Sequence, residues 1–223
     1  MTLWSDLFLH RHLLSRVFYG TPGVQTITAP ANATFVRVSM VGAGGWDSNT
    51  GTGPGGVNGA GAAFARVKTT CTAGESFSIQ IGDIAHSKNA GDALGDSKFT
   101  RVTGSVLLCS AARGTSTAPG NASTCTGDTK RTGGAAAGTL CGPSAGDDVD
   151  TFPLGFGGRG AKSTDRASDL AAAPGGGGSS RNQVYQSADL TYSVYLTYPP
   201  GNGRICVEFF DQDPTIQWPG YTG

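Results

Sequence analysis

The 223-residue chain contains no run of about 18 apolar residues, so its sequence offers no helix able to cross a bilayer. Charge is also scarce: 14% of residues are Asp, Glu, Lys or Arg, against about 25% in an ordinary globular chain. The 16 basic and 16 acidic side chains cancel, which leaves no basic footprint for nucleic acid. Ten Phe, six Tyr and three Trp at such low charge exclude a solvated, charge-rich disordered chain. The five cysteines are Cys71, Cys109, Cys125, Cys141 and Cys206. Their odd number and the lack of CxxC spacing argue against both a disulfide framework and a zinc knot. Cys109 and Cys206 lie in apolar runs, where a free thiol acts as a small hydrophobe. Cys125 and Cys141 lie in loop-like sequence and are the pair that oxidation could join. The opening Met1-Thr2-Leu3-Trp4-Ser5-Asp6 has no basic n-region and no small-residue cleavage site. The expectation is a protein folded in a reducing cytosol.

Glycine is abundant instead. It fills 36 of 223 positions, about 16%, where about 7% is usual. No Gly-X-Y period exists, so a collagen helix is excluded. A glycine-rich helical bundle is excluded too, because each glycine costs a helix about 1 kcal/mol. The glycines concentrate in two places, nine within residues 42–61 and sixteen within residues 112–180. Glycine permits positive φ and close crossing of backbones. These segments therefore read either as a layered meshwork of extended chain or as simple flexible loops. A stretch as long as the second, without periodic pattern, is functional or disordered in most domains.

Between the glycine segments the chain alternates. Residues 24–28, 35–41, 63–68 and 76–81 read as short strands, with Val36, Val38 and Met40 on one face and Arg37 and Ser39 on the other. Phe77, Ile79 and Ile81 likewise share a face. Residues 99–102 and 105–109 form a hairpin turned at Thr103-Gly104, and residues 190–196 and 205–210 are two further strands. Pro199-Pro200-Gly201-Asn202-Gly203 reads as a turn joining that last pair. Seven or eight short strands in one domain predict an all-β antiparallel sandwich or jelly-roll-like fold over residues 20–223, with a long loop insertion at about 112–182. Residues 1–19 form an N-terminal arm, helical or extended. Trp4, Leu7, Leu14 and Phe18 fall near one stripe of a helix, with Ser5 or Asp6 as its cap. A helix this short needs a partner to dock on.

The residues that carry chemistry are few. His10 and His12 stand two apart on the arm and cannot share a metal on a helix; His86 lies in a turn-like stretch. Asp147, Asp148 and Asp150 lack the spacing of a calcium loop and read as a solvated acidic turn. Nucleophile elbows, zinc-protease motifs and phosphate loops are all missing. Asn32-Ala33-Thr34 and Asn121-Ala122-Ser123 match a glycosylation sequon, and without a secretory route they are chance matches. The expectation is a protein that is not an enzyme and takes no cofactor or metal. Trp46, Trp218 and Tyr221 fall outside the strands. Aromatic rings on loops over a rigid scaffold suit saccharide or protein contact, and equally suit packing on the sheet or a neighbouring subunit.

The order of the signals carries a resemblance. Tyr19-Gly20-Thr21-Pro22-Gly23-Val24 and Ala29-Pro30 lead into Phe35-Val36-Arg37-Val38-Ser39-Met40-Val41-Gly42-Ala43-Gly44-Gly45. A glycine loop and Ala73-Gly74-Glu75-Ser76-Phe77-Ser78-Ile79-Gln80-Ile81-Gly82 follow. Over residues 19–112 this resembles the glycine-rich domain of bacteriophage tail fibres and related virion appendages, and the strand at 205–209 also fits. The second half departs from that pattern, because Ala, Ser, Thr and charged residues dilute the glycine runs and an aromatic, strand-like segment occupies residues 181–198. The resemblance implies a structural virion protein, assembled in the host cytoplasm and engaged in host adsorption. Trp4, Leu7, Leu14 and Phe18 would then anchor it to other virion proteins, and the loops would meet a host surface glycan or protein. Fibres close into rings, which makes a homotrimer the expected assembly. A head fibre or capsid decoration protein is the alternative within that class, and a bacterial carbohydrate-binding adhesin is the alternative outside it.

Overall fold

The computed structural model describes residues 12–45, 59–84, 93–115, 118–135 and 201–214, together with the backbone of two further strands at 179–186 and 191–198. Eleven strands run along the described chain: β1 (Leu13–Tyr19), β2 (Gly23–Thr28), β3 (Phe35–Val41), β4 (Phe64–Thr70), β5 (Ser76–Ile81), β6 (Ser97–Arg101), β7 (Val106–Ala111), β8 (Thr129–Arg131), β9 (Ser179–Gln186), β10 (Thr191–Tyr198) and β11 (Arg204–Phe210). They form a five-stranded sheet ordered β1-β11-β3-β4-β8, a four-stranded sheet ordered β2-β5-β6-β7 and a ribbon of β9 and β10. Every pairing is antiparallel. The fold is an all-β sandwich.

Period-two alternation decides which side chains enter the core. From the five-stranded sheet come Val36, Val38 and Met40 of β3, Ala65 and Val67 of β4, and Ile205, Val207 and Phe209 of β11; from the other come Phe77, Ile79, Ile81, Phe99, Cys109 and Ala111. Phe77 and Phe99 stack at 4.8 Å between ring centres, and Phe77 meets Phe209 of the facing sheet at 6.3 Å. Each such ring removes about 2–3 kcal/mol worth of apolar surface from water.

The outer face of the five-stranded sheet is built differently. Register places Arg16, Glu208, Arg37 and Lys68 side by side across β1, β11, β3 and β4. Glu208 is buried, and its two oxygens are divided between neighbours: Arg16 Nε donates to Oε1 at 2.8 Å and Arg37 Nε to Oε2 at 2.7 Å. Lys68 Nζ pairs with Asp213 at 2.7 Å. Beside this row Phe18 packs with Val41, Phe64 and Cys206, and Arg204 lies over the Phe18 ring.

Of the two forms expected for the arm, helical or extended, its described part takes the extended one, and the helical stripe is not realised there. Residues 13–19 are a strand, because pairing with β11 from Leu13↔Phe210 to Tyr19↔Ile205 satisfies their backbone, and a bulge between Leu13 and Ser15 absorbs the irregular spacing. Trp4 and Leu7 lie outside the described residues.

Cys71, Cys109, Cys125 and Cys206 are buried free thiols. Cys125 Sγ donates to Asn121 O and accepts from Ala112 N, each at 3.3 Å; Cys141 lies outside the described residues. Burial pushes the Cys71 thiol up to about 11, helped by the nearby Glu75 carboxylate, and that of Cys206 up to about 12, helped by Glu208; Cys109 and Cys125 are raised by burial as well. A raised thiol favours the folded state only while the unfolded chain also keeps its proton. Stability is therefore expected to hold up to about pH 9, the ordinary thiol value, and to fall from there toward pH 12 as the unfolded thiols ionise. Urea midpoints measured from pH 7 to 11 check this. Glu208→Gln, which strips two mostly buried guanidinium groups of their shared countercharge, is expected to cost about 3 kcal/mol in urea unfolding.

Candidate functional site

Register determines which connections share an end of the sandwich. Tyr19 lies opposite Ile205, Gly23 opposite Ile81, and Val41 opposite both Phe64 and Arg204. The β1–β2, β3–β4 and β5–β6 connections, the chain leaving β7 and the chain entering β11 therefore meet at one pole. At the opposite pole lie the short β2–β3, β4–β5 and β6–β7 turns, and there too the chain enters β1 and leaves β11. Both glycine-rich regions of the sequence thus issue from a single pole.

There the backbone stops behaving as a sheet. Four consecutive amides at residues 42–45 donate to three different segments: Gly42 to Ala63, Ala43 to Gly95, Gly44 to Gly201 and Gly45 to Ala60. Positions 42 and 45, three apart, return to the same neighbour. Residues 60 and 63 repeat the rule, with Ala60 donating to Thr115 and Ala63 to Ala112, both at 2.9 Å. A return every third residue is the signature of an extended chain with three residues per turn, which makes no hydrogen bonds within itself and directs its amides outward around its axis. Gly114 N then donates to Ala43 O at 2.9 Å, so segments 42–45, 60–63 and 112–115 close a hydrogen-bonded triangle. A second triangle shares the middle segment: Gly61 donates to Gly134, Gly133 to Gly120, and Gly120 back to Gly61, all at 2.9 Å.

Such packing admits almost no side chain. A β-carbon on Gly42 would lie 2.6 Å from Ala112 O, and one on Gly114 would collide with Ala60 O. The remaining positions are small: Ala43, Ala60, Ala62 and Ala63 are at most 1% exposed. Directly beneath the lattice the two sheets are tied together through Ser97, whose buried hydroxyl donates to Val41 O at 2.6 Å in one sheet and accepts from Gly82 N at 3.1 Å at the end of the other. Gly201–203 is more than the turn expected from its sequence. Gly201 accepts from Gly44, Asn202 Oδ1 accepts from Ile84 N at 3.2 Å, and Gly203 donates to Gly82 O. At the rim, Asp96 Oδ1 accepts from both Arg113 N at 3.0 Å and its Nη1 at 3.2 Å.

Of the expected contact residues, Trp46 follows Gly45 directly, and Trp46, Trp218 and Tyr221 all lie outside the described residues. Of the expected anchor residues, Leu14 is 39% exposed on edge strand β1, while Phe18 is partly buried against the outer cluster. His12, far from the glycine pole, lies 2.9 Å from Asp211, and His10 and His86 fall outside the described residues. Among the described residues no three His, Cys, Asp or Glu side chains gather to hold a metal. What the pole offers chemically is rigid backbone that fixes where each long connection begins and ends. No protein-family model matches the chain, and no curated protein matches it in sequence.

The lattice makes a sharp prediction. Gly114→Ala is expected to destabilise by about 2–3 kcal/mol, the penalty for forcing atoms into a filled space. Gly20→Ala, where an added β-carbon meets nothing within 4 Å, should stay within about 0.5 kcal/mol of the parent. Thermal and urea unfolding of the two variants provide the comparison.

Proposed function

We propose that the chain is a structural virion protein of a bacteriophage, a tail-fibre or spike component that takes part in adsorption to the host. The observation that supports this reading most is the glycine lattice at one pole. A sandwich whose connections on one side are short turns, and whose other side is a backbone lattice carrying every long connection, is organised as a stalk with a presenting end. The order of sequence signals over residues 19–112 points the same way. Contact would be made by the connections that the lattice holds, with Trp46 at the foot of the first. Adsorption would then rest on many weak contacts multiplied over several copies, with no need for one tight site.

This reading assigns no reaction to the protein. The lattice contributes position: it removes conformational freedom from the feet of each loop before binding, which lowers the entropy that must be lost at the host surface. The N-terminal residues ahead of β1 supply the attachment to neighbouring virion proteins.

Antibody raised against the purified protein and visualised on particles by electron microscopy tests the proposal. Label at the distal end of the tail, together with reduced adsorption when host cells are pre-coated with the protein, is the expected result. Label over the head without any effect on adsorption would replace it with a decoration role, and particles without label would overturn it.

A further inference from the structure

The two sheets of the sandwich have four edges, and three of them carry a device that blocks strand addition. Strand β1 carries Arg16 and a bulge between Leu13 and Ser15. Strand β8 is only three residues long, and two of these are Lys130 and Arg131. Strand β7 is irregular where Phe99 and Thr100 pair with it, and Ser110 is bridged by Thr126. Charge, brevity, bulges and covering segments are the means by which proteins keep sheet edges from pairing with other chains.

Among the described residues, strand β2 shows none of these. Gly23-Val24-Gln25-Thr26-Ile27-Thr28 contains no charged residue and no proline, and pairs with β5 in unbroken register from Gly23↔Ile81 to Thr28↔Ser76. Five of its six residues are exposed, and Val24, at 65%, is the most exposed large apolar side chain among the described residues. Its other side faces no strand of either sheet.

We infer that β2 is the contact through which two copies of this chain associate, strand against strand across a two-fold axis. A two-fold contact requires a strand that is complementary to itself, and a charge-free strand places no like charges opposite one another. Pro22 and Pro30 flank the edge and cannot donate to a ladder, so the site is limited to about the length of β2 itself, which a second β2 matches. Side-chain alternation constrains the register further. Val24, Thr26 and Thr28 share the outer face and Gln25 and Ile27 the inner one, so the axis must pass through a residue, not between two. Centred on Thr26, the pairing sets Thr26 against Thr26 of the second copy, Val24 against Thr28 and Gln25 against Ile27. The two four-stranded sheets then become one continuous sheet, with the glycine poles pointing in opposite directions. This inference goes beyond the virion reading and does not depend on it.

Sedimentation velocity over a concentration series, with the full chain and two variants, tests the contact. Thr26→Lys and Thr26→Asp change only an exposed outer-face side chain, and unaltered circular dichroism with a cooperative melting transition will show that each folds. The parent chain is expected to reach twice 22.6 kDa, each variant alone to remain at 22.6 kDa, and an equimolar mixture of the two to return to the doubled mass. A parent that stays at 22.6 kDa, a parent at three times that mass, a Thr26→Lys variant that still doubles, or a mixture that does not recover would each overturn the inference.

Discussion

Every buried backbone amide and carbonyl must find a partner, and at the glycine pole there are almost no side chains to provide one. The solution is for extended segments to serve as each other's partners in three directions at once, so that 42–45 leans on 60–63, 60–63 on 112–115, and 112–115 on 42–45. Closure of that triangle depends on glycine at the crossing points, since a single β-carbon at position 42 or 114 would occupy space already taken by a carbonyl. The sandwich below supplies the rigid footing. Ser97 joins the ends of the two sheets beneath the lattice, and Phe77, stacked on Phe99, meets Phe209 of the facing sheet.

A different balance governs the outer face of the five-stranded sheet. Burying Glu208 would be costly without compensation, and two guanidinium groups in register on both neighbouring strands provide it. The same row binds β1 to the sheet electrostatically. The edge strand contributes Arg16 to the carboxylate and Phe18 to the apolar cluster, so its attachment does not rest on its backbone ladder alone.

Much of the sandwich was legible in the sequence because alternation is a local signal. Strand β5 begins and ends where Phe77, Ile79 and Ile81 predict, and β3 divides Val36, Val38 and Met40 from Arg37 and Ser39 as its pattern requires. Residues 13–19 were not legible. Apolar residues at positions 4, 7, 14 and 18 imitate a helical stripe, and the strand that settles the matter is β11, nearly two hundred residues away. The same distance hides the Arg16–Glu208–Arg37 arrangement, in which Glu208 lies 192 and 171 positions from its two arginines. The lattice was half legible. Glycine density announces close crossing, but which segments cross depends on a hydrogen-bond pattern that no local period records, and the short strand β8 falls where only loop was expected.

The two parts of the molecule obey different arithmetic. In a sheet, side chains repeat every second residue, so a strand that gains or loses a pair of residues keeps its faces. In the lattice, segments 42–45 and 60–63 return to a neighbour every third residue, so their amides regain the same heading only after a step of three. An insertion that preserves the faces of a strand therefore comes in twos, and one that preserves the amide headings of a glycine segment comes in threes.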